Sequence, residues 1–134
     1  MEYSIGVDVG GMSIKIGLTD SRGVILYKKV VETARDSERD IENTCHAIKE
    51  LLAEANLTVK DINGIGLGCP GAVSSESGVV DIFPNLGWVN VPLVKMLKER
   101  FDTEVKMSND ANVAALAEAL HGAAKGYKNC IMLT

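Results

Sequence analysis

Residues 3–9 and 13–19 each alternate apolar and polar side chains with period two, and only Gly10-Gly11-Met12 separates them. Two half-buried strands joined by so short a glycine turn pair antiparallel. A third segment, Val24 to Val31, is rich in β-branched residues and follows the turn signal Asp20-Ser21-Arg22-Gly23. The chain is therefore expected to begin as a three-stranded antiparallel meander.

After the meander the period changes. Ile41, Cys45, Ile48, Leu52 and Ala55 share one helical stripe, with Ser37 and Asp40 offering a capping-box start and an end near Asn56. Asp61 to Cys69 reads as a glycine-spaced strand, in which missing side chains let another backbone or a ligand approach, and Pro70-Gly71 stops it. The stretch from Ala72 to Asn90 is turn-rich, with a short strand from Val79 to Phe83 followed by Pro84-Asn85-Leu86-Gly87-Trp88. Pro92 opens a helix through about Arg100, Glu104 to Met107 reads as a strand, and an alanine-rich helix follows Asn109 and Asp110 until Gly122. Lys128 to Leu133 reads as one more strand. This order predicts an α/β fold, a mixed sheet with three antiparallel strands followed by right-handed strand-helix crossovers. The glycine-containing stretch 122–126 suggests a boundary, giving one domain over 1–124 and the first strand of another over 125–134.

Composition narrows the partners. The net charge of -4 comes with no Lys/Arg cluster, which argues against nucleic acid and membrane surfaces. The start Met-Glu-Tyr-Ser lacks the features of a signal peptide, and no run approaches the ~18 apolar residues of a membrane span, so the cytoplasm is expected. Cys45, Cys69 and Cys130 are far apart without a CxxC pair, and His46 and His121 are the only histidines. Reduced structural thiols are expected, with neither a disulfide framework nor a zinc site in this segment.

Three segments set an acidic or amide side chain beside a glycine turn at a strand end, where open α/β sheets bind ligands. In DVGGMSIKIGLTD, residues 8–20, Asp8 closes a strand and the two glycines let the chain reverse. Such a turn leaves N–H groups free for phosphate oxygens, and an Asp at its mouth suits magnesium; a plain hairpin with an exposed Asp has the same sequence. In GLGCPGAV, residues 66–73, the glycines spell a GxGxxG pattern, but Pro70 and the turn-rich stretch after it replace the helix that a dinucleotide fold needs. A loop closing on a small ligand fits better. In MSNDANVAALAEAL, residues 107–120, Asn109 and Asp110 stand where a strand meets a helix. A carboxylate there can take the proton of an attacking hydroxyl, and Asn and Asp are also the commonest helix caps.

Together these segments resemble the ROK family of sugar kinases and sugar-responsive regulators, within the actin-like ATPase (ribonuclease H-like) superfamily. DxGGxxxKxGLxD, GxPG, PNLGW and NDAN occur in the family's order along essentially the whole chain. The resemblance implies that Asp8, Gly10 and Gly11, with Met12 and Ser13 beside them, face the phosphates and Mg2+ of ATP. It implies that Gly71, Asn85, Asn109 and Asp110 lie near the sugar hydroxyls, with Asp110 the catalytic base. Glu118 matches a common family glutamate, for which a helix-face or packing role is expected. Most family members carry threonine where this chain has Met12, and a thioether donates no hydrogen bond, leaving Ser13 or the backbone to substitute. The chain stops where the family continues into a second glycine-rich phosphate segment. The adenine pocket, the later sugar-binding residues and a cysteine-rich zinc motif are expected beyond Thr134.

The implied activity is phosphoryl transfer from Mg-ATP to a hexose hydroxyl, with glucose the first choice because of PNLGW and NDAN. The implied parent is a homodimeric cytoplasmic enzyme, and the 134-residue segment alone is expected to be inactive. Two competing readings are a sugar-sensing transcriptional regulator and a non-enzymatic sugar-binding module. Regulators of the family usually carry a helix-turn-helix module ahead of the kinase-like part, whereas here strand one begins by Tyr3.

Overall fold

A computed structural model describes residues 2–134. The meander forms as expected: β1 (Tyr3–Val9), β2 (Ser13–Asp20) and β3 (Ile25–Glu32) pair antiparallel in chain order. Helix α1 (Ser37–Glu54) follows. Its cap is Asp36, whose Oδ1 accepts from Arg39 N at 2.9 Å, so the expected capping box of Ser37 and Asp40 does not form. The reason is local: Asp36 already satisfies the exposed N–H of the first turn, and Asp40 points inward, where its Oδ1 accepts from Ala34 N at 2.6 Å.

After a 3-10 turn (Val59–Asp61), β4 (Ile62–Cys69) pairs parallel to β1. The chain then builds a second, small antiparallel sheet from β5 (Ala72–Ser74), β6 (Val79–Phe83) and β7 (Trp88–Val91). Short helix α2 (Leu93–Lys98), β8 (Val105–Asn109) and helix α3 (Asp110–His121) complete the fold. The main sheet runs β3-β2-β1-β4-β8, with β8 parallel to β4.

Period two decides which face is buried. Ile5, Val7 and Val9 of β1, Ile14, Ile16 and Leu18 of β2, and Ile65 and Leu67 of β4 join Ile41, Ile48 and Leu51 of α1 in one core. The opposite face carries Gly6, Asp8, Lys15, Gly17, Gly66 and Gly68, side chains mostly too small to fill it, and α3 lies over part of it. None of the α3 residues is buried. Among the described residues no helix is long and apolar enough to cross a membrane.

Two expectations need correction. Residues 128–133 form no strand, because no sheet edge lies against them and both Ile131 and Leu133 are exposed. The turn-rich stretch 72–90 contains three strands where one was expected, and Phe83 and Trp88 close the β6–β7 hairpin as an edge-to-face pair with centroids 6.3 Å apart.

The β2–β3 turn is held by a buried carboxylate. Asp20 accepts from Arg22 Nη2 at 2.7 Å, Arg22 Nε at 2.9 Å, Arg22 N at 2.9 Å and Val24 N at 3.0 Å. The Arg22 guanidinium, against the opposing pull of burial and with help from the two backbone donors, holds the Asp20 carboxyl below its usual range. A depressed folded-state value means that this stabilisation is complete above the unfolded value of about 3.9 and is lost as pH falls through the folded value. Asp20→Asn should therefore be less stable than wild type at neutral pH yet lose less further stability between about pH 5 and about pH 2. Urea unfolding across that range measures it, and equal losses in both proteins would contradict the role given to Asp20.

Candidate functional site

The three parallel strands β1, β4 and β8 end at one edge of the sheet, and register fixes what meets there. Asp8 stands opposite Gly68, Gly68 opposite Ser108, and Cys69 opposite Asn109. Asp8 and Asp110 both line one cavity of about 590 Å³ between α3 and the glycine-rich sheet face. Lys15 lines it too, directly across the β1–β2 hairpin from Asp8. The expected site did not include Lys15. The observed register, with Val9 opposite Ile14 across a turn over residues 10–13, pairs it with Asp8; a two-residue turn at Gly10-Gly11 would have put Ser13 there instead.

Between the two carboxylates lies Cys69, fully buried at the end of β4. Burial pushes its thiol up to about 12, and the negative charges of Asp110 and Asp8 push the same way. It stays protonated at neutral pH, which makes it packing material and not a nucleophile.

At the β1–β2 turn, Gly10 N donates to Ser13 O at 3.0 Å. A Cβ on Gly10 would stand 2.6 Å from that same oxygen, so this place admits no side chain. The N–H groups of Gly11 and Met12 have no acceptor among the described residues, leaving two donors at the tip of the turn. The Met12 side chain is 86% exposed and touches neither the cavity nor the core. Gly11 packs against Asn85, whose Cβ would lie 3.2 Å from a Cβ added at Gly11. The β1–β2 turn and the Pro84–Trp88 segment are thus in contact.

Asn109 and Asp110 stand together at the head of α3. Asn109 is the N-cap: its Oδ1 accepts from Ala111 N at 3.0 Å, and its Nδ2 donates to Gly71 O at 3.5 Å. Asp110 shares the Ala111 N–H through Oδ1 at 2.9 Å, and its Oδ2 has no protein partner among the described residues. The cap is therefore supplied by the neighbour, and one oxygen of Asp110 is free on the cavity. Glu118 closes the other end of α3, accepting from Ala123 N at 2.7 Å, a helix-terminal role.

The expected residues form a chain of contacts, not one pocket. Asp8 and Asp110 share the cavity, Gly71 is tied to Asn109, and Gly11 touches Asn85, but Gly71, Asn85 and Asn109 do not line the cavity wall. Among the described residues no group of three or more His, Cys, Asp or Glu side chains is placed to hold a metal ion. Magnesium does not need one, since it keeps several waters and takes one or two carboxylates together with phosphate oxygens. Asp8, exposed beside the open turn, fits that demand.

Comparison with known proteins gives the same picture. The ROK family model matches residues 4–134. A glucokinase of Halalkalibacterium halodurans is 35% identical over 134 residues, taking in 98% of this chain and 41% of the relative. A xylose repressor of Caldicellulosiruptor bescii is 35% identical over 120 residues, 88% of this chain and 30% of the relative. Among solved structures, a ROK family glucokinase from Streptomyces griseus in complex with glucose and AMPPNP matches with a TM-score of 0.83 at 32% identity, covering 92% of this chain and 38% of that one. The fold is that of the actin-like ATPase kinases, and the chain spans about two fifths of the glucokinase lengths it matches.

Gly71 is the most constrained point of the site. Its φ of 84° is left-handed, and an added Cβ would come within 2.5 Å of Ile82 O. Gly71→Ala is expected to cost about 1–3 kcal/mol of stability in denaturant unfolding, the range for strained backbone. An unchanged midpoint would show that the loop relaxes freely.

Proposed function

The chain belongs to the ROK family, and from that membership we propose that it is the amino-terminal half of an ATP-dependent hexose kinase, with glucose as the first substrate to test. The observation that carries the reading is the placement of Asp8 and the free oxygen of Asp110 on one cavity at the carboxyl edge of the sheet. Residues 1–124 are the amino-terminal kinase domain, and 125–134 lead into a second domain that supplies the adenine site.

In this reading each residue has a separate task. Asp110 accepts the proton of the attacking sugar hydroxyl, a task open to its Oδ2 because Asn109 performs the capping. Asn109 and Asn85, with the Gly71 segment that Asn109 holds, orient the sugar hydroxyls. The unpaired N–H groups of Gly11 and Met12 meet phosphate oxygens, and the Gly11–Asn85 contact brings the phosphate turn beside the sugar segment. Asp8 would hold Mg2+, with Lys15 across the hairpin as a further positive charge facing the same cavity. When bound, the magnesium neutralises charge on the transferring phosphoryl group. The full-length protein is placed in the cytoplasm as a homodimer.

A second reading, a sugar-responsive regulator, draws on the xylose repressor relative. Phosphorylation of a hexose panel by the full-length protein separates the two, and sequence-specific DNA retention at physiological salt without turnover would favour the regulator. In the kinase reading Asp110→Asn should lower kcat by about 10²–10⁴-fold, with the sugar KM little changed. Near wild-type turnover would remove Asp110 from the mechanism.

A further inference from the structure

Thr33 lies outside every motif that points to the kinase, one residue past the end of β3. Its backbone N–H donates to Met12 O at 3.1 Å, and its hydroxyl donates to Gly11 O at 3.2 Å. One residue thereby holds two consecutive carbonyls of the phosphate turn. The peptide bonds are trans, so the C=O and N–H of each peptide plane point in opposite directions. With the Gly11 and Met12 carbonyls drawn toward Thr33, the N–H groups of Met12 and Ser13 are aimed away from β3, and of these the Met12 N–H is one of the two left without an acceptor at the tip of the turn. A turn built on two glycines otherwise has wide backbone freedom.

Thr33 is itself anchored from behind. The next residue, Ala34, donates its N–H to Asp40 Oδ1 at 2.6 Å, and the chain then turns sharply through Arg35 at a left-handed φ of 58°. Asp40 is completely buried, and its Oδ2 has no partner among the described residues. A carboxylate buried with a half-satisfied set of hydrogen bonds is costly, as is a non-glycine residue at positive φ. Both costs fall on the segment that carries Thr33.

From this geometry we propose that Thr33 is a positioning residue for nucleotide phosphates: with Asp40 behind it, it fixes the carbonyls of Gly11 and Met12 so that the turn presents the Met12 N–H ready aimed. It takes over the orientation of a turn whose exposed Met12 side chain offers no hydrogen bond. The proposal rests on the kinase reading for the identity of the ligand.

The test uses the full-length protein and titrates a non-hydrolysable ATP analogue with Mg2+, alongside KM for ATP and for sugar. Thr33→Val keeps the shape and the N–H but removes the hydroxyl. It should weaken analogue binding and raise the ATP KM by about 3- to 10-fold, the size of one lost hydrogen bond, while the sugar KM stays within about twofold. Thr33→Ser should restore both nucleotide values. Asp40→Ala should shift nucleotide binding in the same direction and less than additively with Thr33→Val; if it fails to fold, the two Thr33 variants decide alone. Unchanged analogue binding in Thr33→Val, or equal shifts for sugar and nucleotide, overturns the positioning role while wild-type turnover keeps the kinase reading intact. A wild-type protein that neither binds the analogue nor phosphorylates a sugar overturns both.

Discussion

Parallel pairing of β1, β4 and β8 is the constraint from which the rest of the structure follows. Parallel neighbours cannot be joined by tight turns, so long excursions must carry the chain back to the starting edge each time. Between β1 and β4 that excursion is the remainder of the meander and α1; between β4 and β8 it is the small sheet and α2. The return trips bring all three carboxyl ends together, and hydrogen-bonded register leaves Asp8 and Asn109 one strand apart on either side of β4. The central strand supplies glycines and a buried neutral thiol there, which lets two carboxylates stand close without a third charge between them.

Most of the main sheet was legible because its signals are local. Alternation in Tyr3–Val9 and Ser13–Asp20, the turn residues between them and the helical stripe of α1 each record a backbone period that the burial pattern reproduces. What was not legible depends on partners distant in sequence. The strands β5 and β7 are three and four residues long, and they exist because the turns ending at Gly78 and Gly87 reverse the chain on either side of β6, which pairs with both. The apolar run at 128–133 has the composition of a strand, yet composition without a neighbouring edge leaves it unpaired. At α1, Ser37 and Asp40 had capping spacing, but Asp36, one residue earlier, occupies the N-cap position and Asp40 is held inside.

The candidate site shows the same division. The family resemblance grouped Asp8, Gly10, Gly11, Gly71, Asn85, Asn109 and Asp110 in one site, and sequence could not say which of Asn109 and Asp110 caps α3. In the structure Asn109 is the N-cap, and Asp110 shares the same N–H through one oxygen. Thr33 and Asp40 escape the motif reading because their side chains bond backbone atoms elsewhere in the chain, Gly11 O and Ala34 N, pairings that only the fold brings about.

The outward-facing Met12 has a consequence for how relatives of this protein are recognised. Since every amino acid except proline carries the same backbone N–H, a turn that presents main-chain donors tolerates wide drift at its tip, provided the carbonyls beneath stay tethered. A signature that insists on threonine after the paired glycines would pass over chains built this way. In this chain the feature that goes with such a turn is a hydroxyl residue about twenty positions later, Thr33, at the exit of the third strand.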